Sequence, residues 1–392
     1  MDVEFTLAKK VHGIDVRRSW SNDAWLRQDF SCVVAVPARN EAGRVGRCLE
    51  GLAQQEGTRP FGVLVLVNGT TDATYAAVVA QGRQDGLPLM AVEAQLPLRR
   101  SHAGGARCIA VQMAMRRIAT ARGAVFTTDA DSIAPRRWIA AYSGMLDAGY
   151  DAVAGLSRLL AEDMQDIPRS LLQRGLLEER YETCLDALET WLDPVAHDPW
   201  PRHYQASGAN LALRVGALRR IGKQPWPACG EDVSLVRSLQ ARDCRVRHDT
   251  DHQVLTSGRL FGRARGGMAD TMRKRILEPD LPCDERLEAL DKAYFRARTR
   301  RLFRRLHASG YWAEHVAALA ERVRLPATLL KAAFASRGFG ATWQAIEMAS
   351  PSLRRSPLRP SQLPAECARG EALLAQLKIP FMQGSANLAG LS

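Results

Sequence analysis

Gly123-Ala124-Val125-Phe126-Thr127-Thr128-Asp129-Ala130-Asp131 is the stretch on which the reading of this chain turns. Ala124 to Thr127 are apolar or β-prone and predict a short buried strand that stops at Thr128. Two aspartates follow at once, one residue apart. In an extended or turning backbone, side chains at i and i+2 project to the same side, so both carboxylates face one point. Two anions share a site only if a cation lies between them or one takes up a proton. In open α/β sheets the ligand crevice lies at the carboxyl ends of the strands, where this pair falls. A hard divalent cation, Mg²⁺ or Mn²⁺, sharing its remaining positions with phosphates, satisfies both conditions. The competing reading makes one aspartate the cap of a helix beginning near Pro135.

Upstream, the chain alternates strand and helix. Cys32-Val33-Val34-Ala35-Val36 reads as a strand covered on both faces. It ends at Pro37 and passes through Ala38-Arg39-Asn40-Glu41 into a helix with Val45, Leu49 and Leu52 at helical spacing. Val63 to Val67 form the next strand, and Asn68-Gly69-Thr70-Thr71-Asp72 a polar turn into a second helix. A third strand around Leu89 to Val92 precedes His102-Ala103-Gly104-Gly105-Ala106-Arg107 and a helix to about Ala121. Four alternations predict a doubly wound, mostly parallel α/β sheet with flanking helices. No G-x-G-x-x-G follows the first strand and no G-x-x-x-x-G-K-[ST] occurs, which argues against dinucleotide oxidoreductases and P-loop NTPases. Residues 1–30 lack a strong period; they read as a lead-in helix or a lid and are given no chemistry.

Downstream, residues 160–196 predict helix, with Leu171, Leu172, Leu176, Leu177, Tyr181 and Leu185 as a core stripe. Asp198-Pro199-Trp200-Pro201-Arg202-His203-Tyr204 is irregular and rich in side chains suited to binding. Ser207-Gly208-Ala209-Asn210 precedes an apolar strand, and its small residues let a ligand approach the backbone. After Trp226 and Cys229, Gly230-Glu231-Asp232 opens a helix over 232–242. A carboxylate there is either a dipole partner or a general base. Beyond a strand at Gln253 to Ser257, the basic stretch containing Arg259 and Arg263 is suited to closing over a diphosphate, or is simply a solvated loop.

Composition sets the frame. At 392 residues, the chain is long enough for a catalytic domain and an appendage. The net charge of +12 biases it towards anionic partners. Eight cysteines without a C-x-x-C pair suit reduced, buried thiols, and the amino terminus does not read as a signal peptide. No run of 18 apolar residues occurs, so a soluble cytoplasmic protein is expected.

Val36-Pro37-Ala38-Arg39-Asn40-Glu41, Asn68-Gly69-Thr70-Thr71-Asp72, Gly105-Ala106-Arg107, Asp129-Ala130-Asp131 and Gly230-Glu231-Asp232 occur in the order and spacing of the family 2 glycosyltransferases. Across residues 30–270 the chain resembles that family, which has the GT-A fold. The resemblance implies a nucleotide-sugar donor, UDP favoured, and one sugar transferred to a small-molecule or lipid-linked hydroxyl with inversion. It places Pro37, Ala38, Arg39, Glu41, Asn68 and Asp72 around the nucleoside and Arg107 near the base or diphosphate. Asp129 and Ala130 would lie against the ribose or sugar, and Asp131 would bind the metal with Asp129 beside it. His248 or His252 is the candidate third metal ligand. Asp232 looks like the general base, with Glu231 orienting the acceptor. Trp200, His203, Gly208, Asn210 and Trp226 are candidate acceptor or sugar contacts. The absence of Q-x-x-R-W and of membrane spans implies a non-processive enzyme.

The expected division is a lead-in at 1–30, a catalytic domain at 31–270 and a helical region at 271–392. The first half of the catalytic domain, 31–135, binds the nucleotide and the second, 136–270, the acceptor. An insertion at 157–206 is expected to build the acceptor pocket. Leu287 to Leu306 is a basic helix whose arginines face solvent, pack on the protein or touch anionic lipid. Further helices at 311–323 and 326–348 and a Pro/Ser-rich tail at 350–364 complete the region. No nucleic-acid partner is expected. Two rivals share the architecture: an inactive nucleotide-sugar binder, which would lose Asp131 or Asp232, and a nucleotidyltransferase, which would need a glycine-rich basic loop after the first strand.

Overall fold

The computed structural model describes residues 13–84, 86–222, 227–262 and 266–379. Its strands are β1 Asp15–Ser21, β2 Cys32–Ala38, β3 Phe61–Asn68, β4 Leu89–Gln95, β5 Ala124–Thr127, β6 Ala152–Leu159, β7 Leu211–Arg214 and β8 Val246–Thr256. The first helices are α1 Asp23–Arg27, α2 Val45–Ala53, α3 Thr74–Gln84, α4 Ala103–Arg116, α5 Trp138–Asp147 and α6 Ala161–Met164. Then come α7 Arg169–Leu192, α8 Val215–Ile221, α9 Glu231–Gln240, α10 Met268–Leu277 and α11 Leu290–Ser309. The last are α12 Val316–Val323, α13 Ala327–Phe334, α14 Phe339–Ala349 and α15 Leu363–Gln376. The chain divides into two compact units, one within 1–166, 205–239 and 244–270, the other within 167–204, 240–243 and 271–392.

The first unit is built on one eight-stranded sheet in the order β1-β4-β3-β2-β5-β7-β6-β8. Strands β4, β3, β2 and β5 run parallel, β7 is antiparallel to both its neighbours, and β6 pairs parallel with β8. The mostly parallel α/β sheet expected from the alternation is therefore present. Alternate residues of β2 and β3 feed two separate cores, as the two-residue pleat requires. Val33, Ala35, Leu64 and Leu66 join Ile109 and Ala110 of α4 on one face. Val34, Val36, Val63 and Val65 join Leu49 of α2 and Trp138 of α5 on the other.

Several elements differ from the sequence reading. Within 13–30, read as a lead-in helix or lid, the chain forms the short helix α1 and also β1, a strand antiparallel to β4 that was not expected. A register shift between Val16 and Arg18 breaks the alternation that would have revealed the strand. Trp25 of α1 is buried against Gly62, where a Cβ would lie 2.6 Å from the indole. The helix expected to reach Ala121 stops at Arg116, and the one expected from Pro135 starts at Trp138. Strand β8 begins at Val246 rather than Gln253, because a bulge between the pairs Gly155–Asp249 and Ser157–Val254 hides its period.

The second unit is helical. Tyr181, Leu185 and Leu188 of α7 pack with Leu290 and Ala293 of α11 and Leu363, Cys367 and Leu374 of α15. The buried stripe of α7 runs from Tyr181 onward, whereas Leu171, Leu172, Leu176 and Leu177 are only half-buried. The Pro/Ser-rich stretch leads into α15, a helix the sequence reading lacked. The helix expected at 326–348 is broken between α13 and α14. Among the described residues no helix is long and apolar enough to cross a membrane.

Candidate active site

The loops after β2 and β3 are tied to each other before any ligand arrives. Asn40, at φ 55°, accepts from Thr71 N at 2.8 Å, and its Oδ1 lies 2.8 Å from the Thr70 hydroxyl oxygen. Glu41 N donates to Thr74 Oγ1 at 2.8 Å and Ala42 N to Asp72 Oδ2 at 3.1 Å. Asp72 Oδ1 accepts from Thr74 N and from the Thr70 and Thr74 hydroxyls. Partial burial would raise the Asp72 carboxyl, but these donors outweigh it and hold it down at about 2. Asn68 is buried and its Oδ1 takes Leu96 N at 3.1 Å, so its side chain fixes the end of β4. Pro37 is half-buried, Ala38 buried and Arg39 exposed at the same edge.

The aspartate pair sits at the end of β5. Helix α5 has Arg137 at its N-cap and no side-chain cap, so neither aspartate caps it. Asp129 Oδ1 accepts from Arg107 Nη2 at 2.7 Å, and Ala130 between the two is buried. Asp131 is paired with Arg259, whose Nη2 lies 3.0 Å from Oδ2. The same guanidinium grips Glu41, Nη1 donating to Oε2 at 2.8 Å and Nη2 to Oε1. Burial, reinforced by the Asp129 carboxylate, pushes the Asp131 carboxyl up to about 7 against the pull of Arg259.

Arg107 is the buried hub. Its Nε donates to Glu231 Oε1 at 3.0 Å, Nη1 to Gly208 O at 2.9 Å, and Nη2 to Asp129. Desolvation opposes its charge, yet the two carboxylates hold it firmly protonated. Gly208 has no side chain because Arg107 occupies the space: a Cβ would lie 2.3 Å from its Cζ. The close approach read from Ser207-Gly208-Ala209 is therefore made by this arginine. Asp232 Oδ2 accepts from Gly208 N at 2.8 Å, and Oδ1 from Val233 N at 2.8 Å. One network thus runs from Asp129, just after β5, to the start of α9.

A match to the model described as "Glycosyltransferase like family 2" spans residues 31–254, more than half of the chain. The chain belongs to this family. No curated protein matches it in sequence. Among solved structures, the mannosyltransferase PcManGT from Pyrobaculum calidifontis, in complex with GDP-Man and Mn²⁺, is 18% identical. That match covers 94% of this chain and 82% of the other, with a TM-score of 0.43. TarS 1–349 of S. aureus, in complex with UDP-GlcNAc, is 15% identical over 81% of this chain and 90% of its own, at 0.41. Glucosyl-3-phosphoglycerate synthase of M. tuberculosis, with Mn²⁺, UDP and phosphoglyceric acid, is 17% identical over 65% and 79%, at 0.39.

Several other expected site residues of this family 2 member have partners within the protein. Asn210 is fully buried and accepts from Trp138 Nε1 while its amide donates to Leu156 O and His252 O, so it braces the sheet. The His252 ring lies 3.0 Å from Asp249 Oδ2 and packs edge-on against Tyr142. Arg107, expected near the base or diphosphate, is held by protein partners, and Glu231 by Arg107. Trp200 and His203 belong to the helical unit, where Trp200 packs against its core. Trp226 and Arg263 lie outside the described residues.

Asp163 was missed altogether. It receives both Nη atoms of Arg44, Ser257 Oγ at 2.8 Å and Gly258 N at 2.8 Å, fixing the backbone just before Arg259. No motif surrounds it, and only the fold brings it to that loop. Among the described residues no three His, Cys, Asp or Glu side chains form a group that could hold a metal. The donor set at Asp131 and Glu41 is hard oxygen, which fits Mg²⁺ or Mn²⁺ completed by phosphate and water rather than a cage made of protein alone.

Proposed function

We propose that the chain transfers one sugar from a nucleoside-diphosphate sugar, UDP favoured, to a hydroxyl acceptor, small or lipid-linked, with inversion. The observation that carries this reading is the hydrogen-bonded network from Asp129 through Arg107 and Gly208 to Asp232. It joins Asp129, on the donor side, to a carboxylate suited to proton transfer. The loops at 37–41 and 68–72 receive the nucleoside, and Asp131, with Asp129 or Glu41 beside it, holds Mg²⁺ or Mn²⁺. When bound, the ion offsets charge developing on the leaving diphosphate. Asp232 takes the acceptor's hydroxyl proton as the acceptor oxygen bonds to the anomeric carbon. The bond from that carbon to the diphosphate oxygen breaks on the opposite face, its electron pair leaving with the phosphate. Glu231 acts through Arg107, keeping the guanidinium on Asp129 and Gly208. We assign the chemistry to the first unit and place the protein in a reducing compartment such as the cytoplasm; no disulfide joins its eight cysteines.

The test is a melting-temperature screen of UDP, GDP, CDP and dTDP with and without Mn²⁺. A ligand of the native state stabilises it by about 2.7 kcal/mol at a hundred times its Kd. One nucleotide should shift the wild type in the presence of metal, and Asp131→Ala should lose the metal-dependent part. No shift with any nucleotide and metal would sink the donor-site reading.

A further inference from the structure

The carboxylates gathered around the end of β5 outnumber the guanidiniums that pair with them. Among the described residues, the four carboxylates of Glu41, Asp129, Asp131 and Glu231 share two guanidiniums, Arg107 and Arg259. The two arginines are held differently. Arg107 is buried on α4 and anchored by a backbone carbonyl as well as by two carboxylates. The Arg259 guanidinium is bound to the carboxylates of Glu41 and Asp131, and its side chain keeps 20% of its exposure. Its backbone is anchored one and two residues earlier, where Asp163 takes Gly258 N and Ser257 Oγ. The base of the side chain is fixed while its four-torsion stem leaves the guanidinium able to pivot.

We propose that Arg259 is an exchangeable counter-cation: in the ligand-free protein it neutralises Glu41 and Asp131, and a divalent cation arriving with the donor displaces it from Asp131 and releases it to the diphosphate. This rests on the donor-site reading above. The Asp131 oxygen that faces Arg259 cannot enter the inner shell of a +2 ion without bringing two cations into repulsion. A guanidinium has only donors, in a fork that matches phosphate oxygens as well as carboxylate, so the diphosphate is the partner that compensates for the lost pair. Metal and nucleotide therefore help each other bind, and the coupling is reciprocal. Metal alone must break the Arg259–Asp131 pair with no phosphate to take up the freed donor, and it binds weakly.

The experiment titrates the full chain with Mn²⁺ and reads free Mn²⁺ by electron paramagnetic resonance, with and without saturating nucleotide. Wild type, Arg259→Gln and Arg259→Lys are compared. Without nucleotide, Arg259→Gln should bind Mn²⁺ about tenfold more tightly than wild type, and nucleotide should tighten Mn²⁺ less in the variant than in wild type. Arg259→Lys keeps the charge and loses the fork; it should fall between the two, and it carries the test alone if the glutamine variant fails to fold. Metal-only affinity unchanged or weakened in the folded variants would overturn the exchange. Failure of the donor reading looks different: wild type with Mn²⁺ would then bind none of the four nucleotides, whatever the variants do with metal alone.

Discussion

Two carboxylates at the residue scale have separable roles. Asp232 is held by Gly208 N and Val233 N rather than by a cation, which leaves its remaining lone pairs available to a hydroxyl. Asp232→Asn should lower kcat about 10²- to 10⁴-fold while the melting shift produced by nucleotide and Mn²⁺ persists. Loss of that shift along with turnover would assign Asp232 to the donor side instead. Asp163 makes a stability prediction with a definite sign. The Arg44 guanidinium, helped by Ser257 and Gly258, holds its carboxyl down at about 2 in the folded chain. Its stabilisation is present above the ordinary carboxyl range and disappears as pH falls through about 2. Asp163→Asn should cost about 1–2 kcal/mol at pH 7, after allowance for solvent screening, and the gap to wild type should close between pH 4 and 2. Urea denaturation across that range gives the answer, and a gap independent of pH would show that the contact does not act through the charge.

Elements hold the site by close approach. Gly208 lies in the segment before β7, and Gly62 in β3 packs on Trp25 of α1. Gly208→Ala must move the Arg107 guanidinium off Asp129 and Glu231, leaving the buried Glu231 carboxylate and the half-exposed Asp129 unpaired. The expected loss is about 3–5 kcal/mol, with a matching fall in the denaturation midpoint. An alanine variant as stable as wild type would mean that Arg107 has another resting place. Trp25→Ala removes the indole that seats α1 against the sheet and should cost about 3–5 kcal/mol. A cost below 1 kcal/mol would show that this segment is dispensable to the sheet.

At the scale of the whole molecule, much of the basic character of α11 is used within the helical unit. Arg296 grips Glu288 with its fork and reaches Glu347, while Arg304 clasps Asp193 at 3.0 and 2.8 Å. Arg301 donates to the carbonyl of Leu192 at the end of α7. Asp193 is 6% exposed, so Asp193→Asn should destabilise the chain by about 1–3 kcal/mol, measured by thermal or urea unfolding. An unchanged midpoint would return these arginines to the role of a solvated basic face.

The reach of the sequence can be judged element by element. The apolar runs of β2 and β3 and the short β5 were legible because strands buried on both faces need no periodic signal, only length and flanking turns. The aspartate pair, the Asn40-Glu41 and Thr71-Asp72 loops and the Glu231-Asp232 helix start were legible as local patterns, and their common family placed them in one architecture. Strand β1 was not, since an irregular edge strand fully buries only Val16 beside its register shift. Partnership was not legible either. Nothing local says that Arg107 joins Asp129 to Glu231, that Asp163 fixes the backbone before Arg259, or that Asn210 serves Trp138. The sequence by itself determined which residue types arrive at the strand ends, because pleat, turn and helix periods are local properties. Only the tertiary structure decided which charges face one another, because pairing a buried charge depends on groups more than a hundred residues apart, as Arg107 is from Glu231 and Arg259 from Glu41.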